Sequence, residues 1–322
     1  MSETITAQPQ PVATGRLPGA RRRVSIIGAP CGFGASIAGV DLGPAAMRVA
    51  RLNQRITQLG YEVRDLGDIR IDCPTQASPP QSKTKYLREI VAACEKLSDE
   101  VQSILRGGEM PIVLGGDHSI AIGSVSGIAS IYHEQNQPIG LIWFDAHADM
   151  NTPETSPSGN IHGMPLATLL GYGATELTEL SGFAPKLDPR FCAHVGARDI
   201  DAGERALICK LGMRFFSMRE IDERGMSVCM DEAIAIAAAA PAGYHVTLDV
   251  DALDPGDAPG SGTVVRGGLT YREAHLAMEK IAEAGGMLSL EVVEINTALD
   301  VNNRTAELGV ELILSALGKT IL

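Results

Sequence analysis

From residue 24 onward, short runs of β-branched and aromatic residues alternate with segments whose apolar residues follow a helical period. This alternation is typical of βαβ units, in which crossover helices join parallel strands. Several of the runs are apolar throughout, as expected when helices cover both faces of a parallel sheet. The sequence therefore predicts an α/β fold, with a single-domain open parallel sheet of about eight strands flanked by helices on both faces in a three-layer sandwich. The predicted strands are Val24–Ile27, Glu62–Asp65, Ile112–Leu114, Ile139–Phe144, Phe191–Val195, Arg214–Ser217, Tyr244–Leu248 and Leu288–Val293.

The length of the chain and its hydrophobic content favour one large domain. It has 322 residues, of which 45% are hydrophobic, so it can bury a sizeable core. No internal repeat divides it, and we predict one domain over residues 23–322. Residues 1–22 are polar and contain Pro and Gly without the apolar run of a signal peptide, and we predict a disordered tail there.

Charge and cysteine usage limit the classes of partner and compartment. The chain carries 39 acidic and 27 basic side chains, a formal net charge of -12, which argues against nucleic acid or an anionic membrane as a partner. A cationic small substrate suits this field better. No window approaches the roughly 20 apolar residues of a membrane span. The six cysteines show no CxxC spacing, so we expect reduced thiols and a cytoplasmic protein.

Two predicted helices have recognisable ends. Ser82 is predicted to open a helix that Gly107 and Gly108 close, and Thr270 with Glu273 forms a capping box ahead of Gly285.

Three acidic or histidine-bearing motifs follow predicted strands. They are GGDHS at residues 115–119, DAHAD at residues 145–149 and DVD at residues 249–251. In open parallel sheets, ligands bind beyond the carboxyl ends of the strands. We therefore expect the functional site to lie where these three motifs meet.

The residue types in these motifs indicate a metal centre. If the segments are extended, alternate residues point the same way, so Asp145, His147 and Asp149 can converge, as can the Asp249 and Asp251 pair. Clustered buried carboxylates are costly unless cations neutralise them. Four Asp charges match two divalent cations, with His118 and His147 completing the ligands.

Oxygen-rich ligation with two imidazoles and no thiolate favours Mn²⁺ over a structural Zn²⁺ site. Two such ions roughly 3.5 to 4 Å apart can share one water and lower its pKa toward ~7. The sequence thus predicts hydrolysis by a metal-bridging hydroxide. A lone strand-end Asp is usually a helix cap and a lone His usually structural, but these roles do not require three such motifs together. The glycine-rich segment at residues 28–39 lacks the spacing of a nucleotide-binding loop.

The GGDHS, DAHAD and LDVDALDP motifs resemble the three signatures of the ureohydrolase family, and within it the arginases, over nearly the whole chain from Val24 onward. The resemblance implies two Mn²⁺ ions per subunit, bridged by Asp145 and Asp249. One ion would be held by His118, Asp145, Asp149 and Asp249, and the other by Asp145, His147, Asp249 and Asp251.

The choice of substrate depends on residues 151–163, NTPETSPSGNIHG, which resemble the arginase segment. By this resemblance Asn151, Ser158 and Asn160 would bind the α-carboxylate of L-arginine, which would be hydrolysed to L-ornithine and urea. Neutral donors can bind a carboxylate without disturbing the charge balance of the metals. Agmatine and guanidinobutyrate have no α-carboxylate and are disfavoured as substrates, whereas hydroxyarginine stays open.

The resemblance also implies the remaining roles. Asp201 would bind the α-ammonium group, assisted through water by Glu204, although this stretch also suits a helix entry. Glu294 would pair with the guanidinium and Thr263 would help to position it. His162 would carry a proton to the leaving amine, and Asp149 is counted with His162 and Glu294 as catalytic. By family analogy we expect a homotrimer or homohexamer. The alternative from another class is a metal-stabilised scaffold without catalysis.

The sequence departs from the arginase pattern in two places. Ala148 stands where Thr is common, and residues 258–265 read APGSGTVV where arginases more often carry TPATGTPV. Neither difference removes a predicted metal ligand.

Overall fold

The computed structural model of the chain describes residues 23–320, so the predicted N-terminal tail lies outside the described residues. Eight parallel strands form one sheet in the order β2-β1-β3-β8-β7-β4-β5-β6. The strands are β1 Arg23–Ala29, β2 Glu62–Asp68, β3 Met110–Gly115, β4 Gly140–Phe144, β5 Cys192–Ala197, β6 Arg214–Ser217, β7 Tyr244–Asp249 and β8 Met287–Val293. All eight predicted strands are confirmed.

Helices cover both faces of this sheet. The α-helices are α1 Gly43–Val49, α2 Leu52–Gln58, α3 Leu87–Arg106, α4 Ala121–His133, α5 Pro165–Leu169, α6 Thr175–Thr178, α7 Ala202–Leu211, α8 Met218–Arg224, α9 Met226–Ala238, α10 Tyr271–Ala284 and α11 Arg304–Ala316. No helix within residues 23–320 is long and apolar enough to cross a membrane. The six cysteines are free thiols.

The core has two halves, one on each face of the sheet. Along β4, Ile142 and Phe144 pack into the half that contains α1, α2, α9, α10 and α11. The alternate residues Leu141 and Trp143 pack into the half that contains α3, α4 and α5. Successive side chains of a strand point to opposite faces, so a strand covered by helices on both faces, such as β4, can be apolar at every position. The predicted three-layer sandwich is therefore confirmed.

One predicted helix start is wrong. Helix α3 begins at Leu87, and Tyr86 before it has a left-handed backbone with φ 53°. Ser82 instead lies in a turn, where its hydroxyl accepts a hydrogen bond from the Thr84 amide at 3.3 Å. With Ser82 as the N-cap, Lys85 would be the third helical residue, and its amide would be a donor for the Ser82 side chain. That amide instead donates to the Gly159 carbonyl at 2.9 Å, so a tertiary contact replaces the predicted cap.

The predicted capping box of α10 is confirmed. The Thr270 hydroxyl accepts from the Glu273 amide at 3.3 Å, and the Glu273 carboxylate accepts from the Thr270 amide at 2.9 Å. The helix ends before Gly285, as predicted.

The strand order brings the three motifs to one edge of the sheet. Strands β3, β8, β7 and β4 are consecutive neighbours, and Phe144 pairs with Leu248, which in turn pairs with Val292. The residues that follow these three therefore lie side by side at the carboxyl ends of their strands. This edge contains the candidate site.

Candidate active site

The carboxylates converge through turns rather than through extended backbone. The Asp145 Oδ1 accepts a hydrogen bond from the His147 amide at 2.7 Å, and the Asp249 Oδ1 accepts from the Asp251 amide at 2.8 Å. Asp149 has a left-handed backbone with φ 53°. The predicted convergence is thus observed, but its proposed cause, strand alternation, is wrong. An Asp that accepts from the amide two residues on makes a turn that points both side chains inward.

His118 lies at the centre of the first ligand group. Its Nδ1 is 3.1 Å from Asp145 Oδ2, 3.0 Å from Asp149 Oδ2 and 3.3 Å from Asp249 Oδ2. In the second group, His147 Nδ1 is 3.4 Å from Asp145 Oδ1 and 3.0 Å from Asp251 Oδ2.

Potential ligand atoms fall into two groups that share one residue. His118, Asp145 and Asp249 form one group, and Asp145, His147 and Asp251 form the other. Within each group the ligand atoms lie within 4.8 Å of one another. The two groups contain five of the six predicted metal ligands and share Asp145, and the sixth, Asp149, lies beside them with its Oδ2 3.0 Å from His118 Nδ1. All six are therefore at one locus.

The charges of this cluster call for a cation. Burial raises the pKa of Asp149 to about 7, and repulsion by Asp145 adds to the rise. Burial also raises the pKa values of Asp249 and Asp251. For Asp145, burial acts against ionisation, but the neighbouring imidazoles of His118 and His147 hold its pKa well below the ordinary value.

Two buried atoms in the cluster, His118 Nδ1 and Asp149 Oδ2, have no hydrogen-bond partner in the described structure. Buried polar atoms are rarely left unsatisfied in this way unless an ion or water completes them. The donor set contains carboxylate oxygens and imidazole nitrogens without a thiolate. These residues therefore fit a divalent metal.

Neighbouring side chains hold His118 with Nδ1 toward the carboxylates. Its Nε2 is 2.9 Å from the Thr247 hydroxyl, and its ring stacks on Trp143 with centroids 4.2 Å apart. Trp143 Nε1 also donates to Asp145 Oδ2 at 3.1 Å. Hydrogen bonds of this kind fix the tautomer and direction of a metal-binding histidine. The sequence analysis did not identify Trp143 or Thr247, which look like ordinary strand residues.

His162 and Glu294 form a buried pair beside the cluster. His162 Nδ1 is 2.9 Å from Glu294 Oε1, which also accepts from the His118 amide at 2.9 Å. Burial alone would lower the pKa of His162, but the Glu294 carboxylate raises it to about 9. Glu294 has a left-handed backbone with φ 63° at the end of β8.

A cavity of about 320 Å³ opens above the cluster. It is lined by ten of the predicted site residues, namely His147, Asp149, Asn151, Ser158, Asn160, His162, Asp201, Glu204, Asp249 and Thr263. Glu294 does not line this cavity. It lines a smaller adjoining cavity of about 100 Å³, which shares Asn160, His162 and Thr263 with the first.

The large cavity is also lined by two polar residues that the sequence analysis missed. Ser156 lies within the quoted loop and Asp199 follows Arg198 in the segment that carries Asp201. Both could have been found as polar residues two positions from predicted ones. Arg198 was missed as well, and it donates to the Asp251 carbonyl at 2.6 Å, which holds the turn after β7.

The predicted residues around Asp201 make contacts within the protein. Asp201 forms the capping box of α7 with Glu204, as the alternative interpretation of this stretch predicted. The Asp201 Oδ2 accepts from the Asn151 side-chain amide at 3.0 Å, and Glu204 Oε1 accepts from the Met150 amide at 3.0 Å. Thr263 donates to Asp251 Oδ2 at 2.9 Å. Asp201 therefore both caps helix α7 and lines the cavity.

Comparison with known proteins identifies relatives along the whole described fold. A model described as the arginase family matches residues 22–318. The arginase of Brevibacillus brevis is 47% identical over 301 residues, covering 94% of this chain and 99% of that protein. The arginase of Bacillus caldovelox has a solved structure that is similar with a TM-score of 0.89 and 45% identity, covering 94% and 100% of the two chains. The solved Entamoeba histolytica arginase in complex with L-ornithine matches with a TM-score of 0.84 and 28% identity, covering 93% and 99% of the two chains. The chain therefore belongs to the arginase family.

Proposed function

We propose that this hydrolase converts L-arginine to L-ornithine and urea at a centre of two Mn²⁺ ions. The observation that carries the proposal is the pair of ligand groups sharing Asp145 at the floor of a cavity. The family relationship and the relatives named arginase support arginine as the substrate. L-Ornithine in the Entamoeba histolytica structure supports an amino-acid product.

The metal ligands in this proposal are those of the two groups, extended to four side chains for each ion. They are His118, Asp145, Asp149 and Asp249 for one ion, and Asp145, His147, Asp249 and Asp251 for the other. Two divalent cations balance the four carboxylates. When bound, such a pair would supply the activation of one water molecule as a nucleophile near neutral pH.

The residues of the cavity wall would hold the amino-acid end of the substrate. Asn151, Ser158 and Asn160 would donate hydrogen bonds to the α-carboxylate, and the hydroxyl of Ser156 lies in the same wall. Asp201 would pair with the α-ammonium, and Glu204 would assist through water. Such contacts at the remote end orient the guanidinium carbon for attack.

His162 and Glu294 would act at the reacting end. Glu294 would balance the positive charge of the guanidinium, with Thr263 helping to position it. His162, whose pKa the Glu294 carboxylate raises, would enter the reaction protonated and pass its proton to the leaving amine.

Urea release tests the choice of substrate. The Mn²⁺-loaded protein should be assayed with arginine, agmatine, guanidinobutyrate and hydroxyarginine, and we expect the highest kcat/KM for arginine. Preference for agmatine or guanidinobutyrate would contradict the role of the carboxylate-binding loop while leaving the metal centre intact. Preference for hydroxyarginine would change only the guanidino end of the substrate. No urea from any of them would favour the non-catalytic scaffold.

We also propose a single catalytic domain, a cytoplasmic location and a homotrimer or homohexamer. The absence of a spanning helix within residues 23–320 is compatible with this location. The molecular mass of the native protein in solution measures the number of subunits, and the mass of a monomer would contradict the proposed oligomer.

A further inference from the structure

The cavity that receives the substrate is strongly acidic. Five carboxylate side chains line it, and no Lys or Arg does so among residues 23–320; the acidic residues are Asp149, Asp199, Asp201, Glu204 and Asp249. Bound cations balance the carboxylates that ligate them, but Asp199, Asp201 and Glu204 are not among the proposed ligands. The α-ammonium would balance Asp201, but the α-carboxylate of an amino acid must still bind close to the negative charge of Asp199 and Glu204.

A lysine-bearing segment packs against the outside of the carboxylate-binding loop, which we define as residues 156–160. The Lys85 amide donates to the Gly159 carbonyl at 2.9 Å, and Lys83 Nζ donates to the Ser156 carbonyl at 3.2 Å. Gly159 has φ 73°, and a Cβ there would lie 2.0 Å from the Ser82 carbonyl oxygen. The two segments thus meet backbone to backbone, and residues 82–85 form the support on which the loop rests.

The Lys85 ammonium touches a residue of the cavity wall. Its Nζ donates to Asn160 Oδ1 at 3.3 Å, while Asn160 Nδ2 donates to the Ser36 hydroxyl at 2.7 Å. These two contacts fix the direction of the Asn160 amide. They also put a positive charge directly behind the wall that would receive the substrate carboxylate, where a half-buried ion is only partly screened.

We infer that Lys85 is a positioning and specificity-determining residue, which orients Asn160 and supplies the positive potential that selects substrates with an α-carboxylate. Lys83 supports it by holding the Ser156 end of the same loop. This inference rests on the proposed function, because it concerns the carboxylate of the arginine substrate. The loop offers only neutral donors and the cavity wall is acidic, so Lys85 would be the basic group that favours binding of a carboxylate.

The test compares ligands with and without the carboxylate. In the Mn²⁺-loaded enzyme, Lys85→Ala should raise KM for arginine and the inhibition constant of L-ornithine about three- to tenfold, with kcat within about twofold of the wild type. The inhibition constants of agmatine and putrescine, which have no carboxylate, should stay unchanged or fall. Lys85→Arg should restore most of the affinity, and the rise of KM with NaCl concentration should be shallower in Lys85→Ala than in the wild type.

Lys96→Ala is the matched control for removing one positive charge. Lys96 lies on helix α3, which follows the Lys85 segment, pairs with Asp72 at the surface and does not line the cavity. It should leave all these constants unchanged. An equal loss of affinity for ornithine and putrescine in Lys85→Ala would mean that Lys85 only supports the fold and would overturn the inference. Unchanged arginine kinetics would overturn it too, while the proposed function would stand. A wild-type enzyme that prefers agmatine would overturn both.

Discussion

At the residue scale, the site depends on side chains that serve two neighbours at once. Glu294 Oε1 accepts from both the His118 amide and His162 Nδ1, each at 2.9 Å. It thereby links His118 of the GGDHS motif to the proposed proton donor. His118 likewise uses one ring nitrogen for Thr247 and presents the other to the carboxylates. A substitution that removes one of these contacts and keeps the other can therefore separate the effect on proton transfer from the effect on metal binding.

His162→Asn separates these two functions. Asparagine can still donate a hydrogen bond to Glu294, but it cannot release a proton at neutral pH. We expect kcat to fall about 100-fold or more, in the range of general acid–base catalysis, while the metal content per subunit stays at the wild-type value. Steady-state kinetics and elemental analysis measure the two quantities.

His147→Asn is the matched control for that variant, because His147 belongs to a ligand group and His162 does not. It should lose both metal and activity. If His162→Asn also lost its metal, the proton-transfer role would be mistaken and His162 would belong to the metal site.

At the element scale, short turns and caps determine where each strand and helix delivers its side chains. The Asp145 and Asp249 turns direct acidic residues inward over a few residues only. Helix α10 starts with the Thr270 and Glu273 capping box, which is a purely local feature. The capping box is recognisable in the sequence because its two partners lie three residues apart.

Thr270→Ala should lower the free energy of unfolding by about 1 kcal/mol, because the Glu273 amide loses its side-chain acceptor at the helix N-terminus. Denaturant unfolding measures this loss. Thr57→Ala is the control, since Thr57 is an exposed α2 residue whose hydroxyl bonds only the Asn53 carbonyl one turn back. It should be neutral or slightly stabilising. Equal losses in the two variants would contradict the capping argument.

At the scale of the whole molecule, the order of the strands assembles the site. Ligands from three motifs far apart in the chain meet because β3, β8, β7 and β4 are neighbours with parallel carboxyl ends. The resulting cluster of four buried Asp side chains opposes folding unless its charge is balanced. The burial that raises the pKa of Asp149 to about 7 reflects this cost.

Removing the metal should therefore destabilise the entire fold. We expect a chelator to lower Tm by at least about 5 °C relative to the Mn²⁺-loaded protein, because a tightly bound ligand stabilises only the folded state. Scanning calorimetry measures the shift, and re-addition of Mn²⁺ should restore it. The same chelator saturated with Mn²⁺ beforehand is the control. Identical Tm values for the stripped and loaded protein would contradict a metal site made from this cluster.

The sequence alone determined the eight strands, the three-layer fold and the six candidate ligands. Strands buried on both faces are mostly apolar, and polar residues directly after them mark the functional edge of a parallel sheet. The resemblance of the three motifs added the family, which the comparisons confirm.

Only the tertiary structure decided features that depend on partners distant in the chain. Helix α3 starts late because residues 82–85 bind the loop 156–160. Thr247 and Trp143 contact the proposed metal ligands His118 and Asp145 from within strands, where sequence periodicity marks them as core. Lys85 reaches Asn160 across 75 positions of sequence. Local propensity contains no information about such contacts, because they exist only once the strand order has brought the segments together.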